Sequence, residues 1–216
     1  MSMHKPGGHS PWGVIDDVKK IAEGIERIST PSHGGLHLSS IINAAMPEAL
    51  RRPDGWYEED VEWALVALAF PAHFAEHERT EAEKVVRNWL PDVYEAFTGA
   101  TLAPGQSFKK DEATGIEAHR HDQVVISAFG DWHASVPEGW VGVTTLTGEA
   151  YQARMEGRSY GAETYQHFLV PADEYSQRDK RIGLFVCDQD RHPAWHPSLP
   201  KADQVLPEAD QSGMRP

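Results

Sequence analysis

Near residue 100 the spacing of apolar residues changes from a helical to a strand-like period, and this change limits the folds open to the chain more than any other feature. Before it, "GVIDDVKKIAEG" places Val14, Val18 and Ile21 on one helical face, with Gly24 at a C-terminal cap. "IERIST" alternates like a short strand and delivers the chain into a Pro-Ser-His-Gly-Gly loop. Ser39 or Ser40 is placed to cap a helix through "IINAAMPEAL", which Pro47 divides. "WYEEDVEWALVALAF" reads as a helix with Val61, Leu65 and Leu68 inward and its acids in the first turn. Thr80 and Glu83 form a capping box for the next helix, and Pro91 ends or restarts it before "DVYEAFTG" closes on Gly99.

After residue 100, "QVVISAFG", "GWVGVTTLTG", "TYQHFLV" and "RIGLFVCD" are β-branched or aromatic runs bounded by Gly, Pro and Asp, and read as strands. "VPADEYSQR" starts a short helix at Pro171 or Ala172. Helices first and strands later predict an α+β fold, with a helical N-terminal half packed on an antiparallel sheet from the C-terminal half. Residues 12–192 are expected to form a single α+β domain. Residues 1–11 and 193–216 are expected to be flexible ends, because they lack periodicity and are polar or rich in Pro and Gly.

Charge narrows the partners. Acids outnumber bases 33 to 20, for a formal net charge of −13. Direct nucleic-acid binding is therefore not expected, since that affinity comes from Lys and Arg displacing counterions from phosphates. A basic protein partner fits the charge, and so does solubility alone. The single cysteine, Cys187, has no internal partner and sits in an apolar run, which predicts a reducing compartment and a buried, inert thiol. The N-terminus lacks the apolar core of a signal peptide, and "ALVALAF" is too short to span a bilayer, so a cytoplasmic protein without membrane contact is expected.

Chemically capable residues concentrate in three places. In "STPSHGGLHLSS" the segment Thr30, Pro31, Ser32, His33, Gly34, Gly35 joins hydroxyls and an imidazole to two residues free to take positive φ. Successive amides in such a loop can converge on a phosphate, a carboxylate or a developing oxyanion. A tight turn with a surface histidine explains the same residues equally well. The run Glu58, Glu59, Asp60 is the second place: adjacent carboxylates raise one another's pKa when partly buried, which suits acid-base work, whereas acids in a first helical turn need only the helix dipole. In "SAFGDWH", Asp131 at a strand end could orient a histidine and Trp132 could stack on a ligand ring, or the pair is a hairpin turn beside a core residue.

No ligand set has the spacing of a known metal site, so no metal is assigned; His33, His37, His119, His121 and His133 are the candidates should one bind. Neither nucleotide-binding glycine fingerprint is present, nor a Gly-x-Ser-x-Gly elbow. The cofactor is left unknown.

"PWG", "STPSHGGLHLS", "GWYEEDVEWALVALAFPAHF", "VVISAFGDWHASVPEGWVGV" and "FLVPADEYSQR", in this order, resemble an uncharacterised family carried by bacteriophages, plasmids and prophage-like islands, a domain of unknown function. The segment around Tyr151 to Thr164 has no matching motif. The resemblance implies an accessory gene of a mobile element acting inside a bacterial host, and supplies no reaction. Its motifs are polar and glycine-rich, which favours a pocket where His33 faces Glu58 and Asp60, Asp131 orients the imidazole, and Thr30, Ser32, Gly34, Gly35 and Trp132 hold a small polar or anionic ligand. Acid-base hydrolysis or transfer is the reaction class for such a pocket. A non-catalytic acidic inhibitor or nucleic-acid mimic, binding a basic host defence protein, is the alternative.

Overall fold

A computed structural model describes residues 2–158 and 165–206. The expected C-terminal end is thus described only to residue 206, and residues 207–216 lie outside the described residues, as do 159–164 of the motif-free segment. The chain divides into two compact units, residues 1–110 and 111–216.

In the first unit, β1 (His9–Ser10) and β2 (Gly13–Val14) make a small ribbon. They are followed by β3 (Asp17–Ala22), β4 (Ile25–Ser29) and β5 (Gly34–Leu38), then α1 (Ser40–Ala44) and β6 (Trp56–Glu58). Strands β3 to β6 form an antiparallel meander in chain order. Helices α2 (Trp63–Ala69), α3 (Glu76–Trp89) and α4 (Pro91–Thr98) complete the unit, and α5 (Phe108–Ala118) carries the chain across the boundary. The fold is α+β, but the expected helical N-terminal half is overturned: its first part is the sheet, and the helices gather mid-chain.

The physical causes are local. At β3 the register shifts between Lys20 and Ala22, so Ile21 is an extra residue that breaks the two-residue alternation of a strand. Val18 and Ile21, three apart, imitate a helical stripe for that reason. Gly24 takes φ +76° as expected, but in the β3–β4 turn and not as a helix cap. At "WYEED" pairing with β5 wins over helix propensity, because it buries Tyr57 completely, and α2 starts only at Trp63. The N-cap of α3 is Ala75, whose amide donates to the Glu78 carboxylate at 2.9 Å, so the expected Thr80–Glu83 box lies inside the helix. Ser39 caps α1, Pro91 restarts the chain into α4, and Gly99 closes it at φ +72°, all as expected.

One face of this sheet carries Ile25, Leu36, Leu38 and Tyr57 into a core with Leu65, Val66, Ala82 and Val86 of α2 and α3. Tyr57 buries its hydroxyl without leaving it unpaired: it donates to Asn43 Oδ1 at 2.7 Å and accepts the Arg52 amide at 3.0 Å. The opposite face is covered by the N-terminal segment. Trp12 lies against Gly35 and meets the Trp56 ring edge-on at 5.5 Å.

The second unit holds β7 (Gln123–Phe129), β8 (Trp140–Thr147), α6 (Gly148–Met155), β9 (Gln166–Pro171), α7 (Ala172–Tyr175) and β10 (Val186–Cys187). Its antiparallel sheet runs β10-β7-β8-β9, close to the strand runs expected from the sequence. Val143, Phe168, Val170 and Cys187 form one cluster; Val136, Leu169 and Trp195 form another, in which the indole N–H donates to Ser135. Among the described residues no helix is long and apolar enough to cross a membrane.

Gly35 permits the closest backbone approach at the centre of the first sheet. A Cβ there would stand 2.2 Å from the Tyr57 carbonyl oxygen and 2.4 Å from the Trp12 ring, and a strand backbone cannot retreat that far without breaking its ladder. Gly35→Ala is expected to lower stability by about 2–3 kcal/mol in urea denaturation. A variant within ~0.5 kcal/mol of the parent would show that the approach does not constrain the sheet.

Candidate functional site

The β4–β5 hairpin loop is closed by its own residues. The Thr30 amide and hydroxyl both donate to the His33 carbonyl, at 2.8 and 2.7 Å, and the His33 amide donates to Thr30 Oγ1 at 3.2 Å. Ser32 and His33 are exposed at the tip. Gly34 and Gly35 belong to β5, opposite Ser29 and Ile28, and neither takes a positive φ. The expected amide nest therefore does not form at these glycines. At Gly34 the missing side chain supplies room instead: a Cβ would sit 2.7 Å from Glu59 Oε2 and 2.8 Å from the Ile28 carbonyl oxygen.

The β5–β6 ladder pairs Gly35 with Glu58, and the Glu59 amide donates to the Gly34 carbonyl at 3.0 Å. That register draws the acids to the hairpin tip. His33, Glu58 and Glu59 each offer a ligand atom, all within 4.8 Å of one another, the one such group among the described residues. The acids occupy a strand-to-helix turn and not a first helical turn, so the helix dipole does not account for them. Glu58 holds that turn, its Oε2 accepting the Asp60 and Val61 amides at 2.8 and 3.4 Å. Glu62 accepts the Glu58 amide at 3.3 Å and pairs with Arg52 at 2.7 Å.

Glu59 takes the place beside His33 that the sequence reading gave to Asp60. No local signal separates the two adjacent acids; the strand register does, and it is a tertiary fact. Asp60 and Glu59 instead share the wall of a cleft of about 420 Å³. Arg27, Ser29, Leu36, Trp63 and Glu78 line the rest of it. Three carboxylates face one guanidinium there, and Arg27 already stands 3.8 Å from Glu78. Such walls favour a cation or a neutral polar molecule over a bare anion.

The remaining candidates belong to other elements. Asp131 and Trp132 belong to the second unit, in the turn after β7, where the His133 amide donates to the Gly130 carbonyl at 3.0 Å. Trp132 is 75% exposed, and the Asp131 carbonyl accepts Lys201 Nζ. His133 is engaged by Ser135 Oγ at 2.9 Å and His119 by Asp122 at 2.8 Å, while His121 is exposed. Cys187 is buried, and burial with the nearby Glu174 charge pushes its pKa up to about 12, consistent with an inert thiol.

His37 is enclosed in β5 between the rings of His4 and Trp56, at 4.6 and 4.2 Å, and its buried Nδ1 has no hydrogen-bond partner among the described residues. Burial, reinforced by His4, pulls its pKa from 6.5 to about 4, against the opposing pull of Glu26 and Asp54. The unfolded chain then binds a proton that the folded chain refuses, so stability should fall as pH drops from 6.5 to about 4. His37→Phe removes this titration and should flatten the limb of urea midpoint against pH over that window. An unchanged limb would assign it to other groups.

Residues 5–120 match the family described as Domain of unknown function (DUF7007). No curated protein and no solved structure matches the chain. The match spans the whole β-meander, the hairpin tip with His33, Glu58 and Glu59, and the helices behind them, and the chain belongs to this family of domains of unknown function.

Proposed function

We propose that the chain binds a small polar ligand at its hairpin tip, through a divalent cation held by His33, Glu58 and Glu59. The supporting observation is the convergence of one imidazole and two carboxylates within 4.8 Å. A donor set of nitrogen and carboxylate oxygens suits Zn²⁺, Mn²⁺ or Fe²⁺, and three protein donors leave coordination positions for water or ligand. The ion would neutralise the two carboxylates and reverse the sign of the field at the mouth of the adjoining cleft. A ligand carrying a carboxylate or phosphate could then enter beside Glu59, Asp60 and Glu78, with its ring or chain against Trp63.

If chemistry accompanies binding, acid-base hydrolysis or transfer is the class that fits. The metal would activate a water, and Asp60, outside the triad but on the cleft wall, would be the carboxylate free to move a proton. On the resemblance to phage and plasmid proteins, this activity would belong to the cytoplasm of a bacterial host, as an accessory function of a mobile element. The net charge of −13 favours a second reading, a non-catalytic acidic protein that occupies a basic host protein and counters a defence. On that reading the triad is dispensable.

Mn²⁺ and Zn²⁺ titrations followed by calorimetry and thermal unfolding separate the two. The metal-free protein should bind one ion per chain and unfold at a higher temperature with it. His33→Ala and Glu59→Gln, both at exposed positions, should each weaken binding by at least about tenfold while leaving the metal-free midpoint unchanged. Absence of binding by the parent chain, or equal binding by both variants, rejects the metal site.

A further inference from the structure

On the other face of the first sheet, away from the hairpin cleft, a second set of polar groups is closed over by the chain itself. Glu26 is 2% exposed, and a carboxylate withdrawn from water is costly unless its oxygens accept hydrogen bonds. Oε1 accepts Ser2 Oγ–H at 2.5 Å and the Met3 amide at 2.7 Å. Oε2 accepts the His4 amide at 3.1 Å and meets His4 Nδ1, also at 3.1 Å. Every donor that the described residues bring to this carboxylate comes from three consecutive residues outside the sheet. Those residues belong to no strand or helix, and Ser2 and Met3 are exposed.

His4 fills the slot as a guest would. One ring nitrogen faces Glu26, the ring stands edge-on to His37 at 4.6 Å, and Trp56 approaches it at 5.1 Å. Strand register builds this place, since Glu26, His37 and Trp56 are direct cross-strand neighbours on β4, β5 and β6. Beneath the guest, the His37 Nδ1 is buried with no hydrogen-bond partner among the described residues, a polar atom withdrawn from water without compensation.

We propose that Glu26, His37 and Trp56 form a recognition slot for a flat nitrogen heterocycle bearing an N–H donor, and that Ser2–His4 is a displaceable strap whose His4 ring occupies the slot in its resting state. The carboxylate accepts the N–H, the neutral His37 and Trp56 rings enclose the flat faces and edges, and the strap leaves when a better donor arrives. The strap can leave without unfolding the sheet because, among the described residues, its hydrogen bonds go to the Glu26 side chain and none joins the strand ladder. This proposal is independent of the metal site, which uses neither the strap nor Glu26.

The test uses the full chain at pH 8, where imidazole is neutral. His4→Ala vacates the ring's place and keeps the backbone amides on Glu26. Added imidazole should raise the thermal midpoint of His4→Ala in a saturable, one-to-one manner, and N-methylimidazole, which has no N–H, should not. Glu26→Gln should make the Met3 and His4 amides exchange with solvent at least about tenfold faster while the β4 and β5 amides keep their protection. No imidazole response, or an equal response to N-methylimidazole, overturns the slot, and unchanged Met3 and His4 exchange overturns the latch. Should Glu26→Gln not fold, Ser2→Ala with His4→Ala loosens the same latch from the strap side and must speed exchange at Met3.

Discussion

The seating of β5 between β4 and β6 is the constraint on which the rest of the first unit depends. Gly35 lets the Tyr57 carbonyl and the Trp12 ring approach to distances that any side chain would forbid, and Gly34 leaves room for the Glu59 carboxylate beside the Ile28 carbonyl. With β6 held that close, Tyr57 is driven into the helix-covered core and Trp56 onto the opposite face. The turn that follows must then bring Glu58 and Glu59 to the tip of the β4–β5 hairpin, next to His33.

Two polar assemblies result from this one ladder, and they differ in how their charges are managed. At the hairpin tip the carboxylates stay exposed or half-exposed, so water carries the cost of their proximity and a cation could replace it. On the covered face Glu26 has lost water, and its charge is held by hydrogen bonds from Ser2, Met3 and His4, which keep its pKa low although burial alone would raise it. His37, in the next strand, moves in the direction burial dictates and stays neutral. A buried carboxylate with four contacts from a short strap beside an uncharged imidazole is a different chemical environment from an open acidic tip.

Much of the fold was legible wherever local chemistry and tertiary context agree. Ser39 caps α1 because its hydroxyl needs only the amide of Ile42; Pro91 and Gly99 bound α4 because a fixed φ and a positive φ are demanded there by the helix ends. The strands of the second unit announced themselves through β-branched runs. The first sheet did not, because the extra residue Ile21 gave β3 a helical spacing and because β5, with two glycines and a histidine, carries little strand propensity of its own.

The site divides along the same line. By itself the sequence determined that His33 lies in a tight, glycine-bounded loop and that a run of acids follows a turn near residue 55, since both follow from residue type and short-range geometry. It also determined the acidic charge and the lone, unreactive cysteine. Only the tertiary structure decided that Glu59 and not Asp60 joins Glu58 beside His33, that Gly34 and Gly35 are extended strand and not an anion nest, and that Glu26 and His37 share a covered slot. Each of those outcomes is set by cross-strand register, and register depends on which strands pair and how they are aligned. That alignment is fixed by burying Tyr57, Leu36 and Ile25 together, a contact between residues distant in the chain that no local pattern encodes.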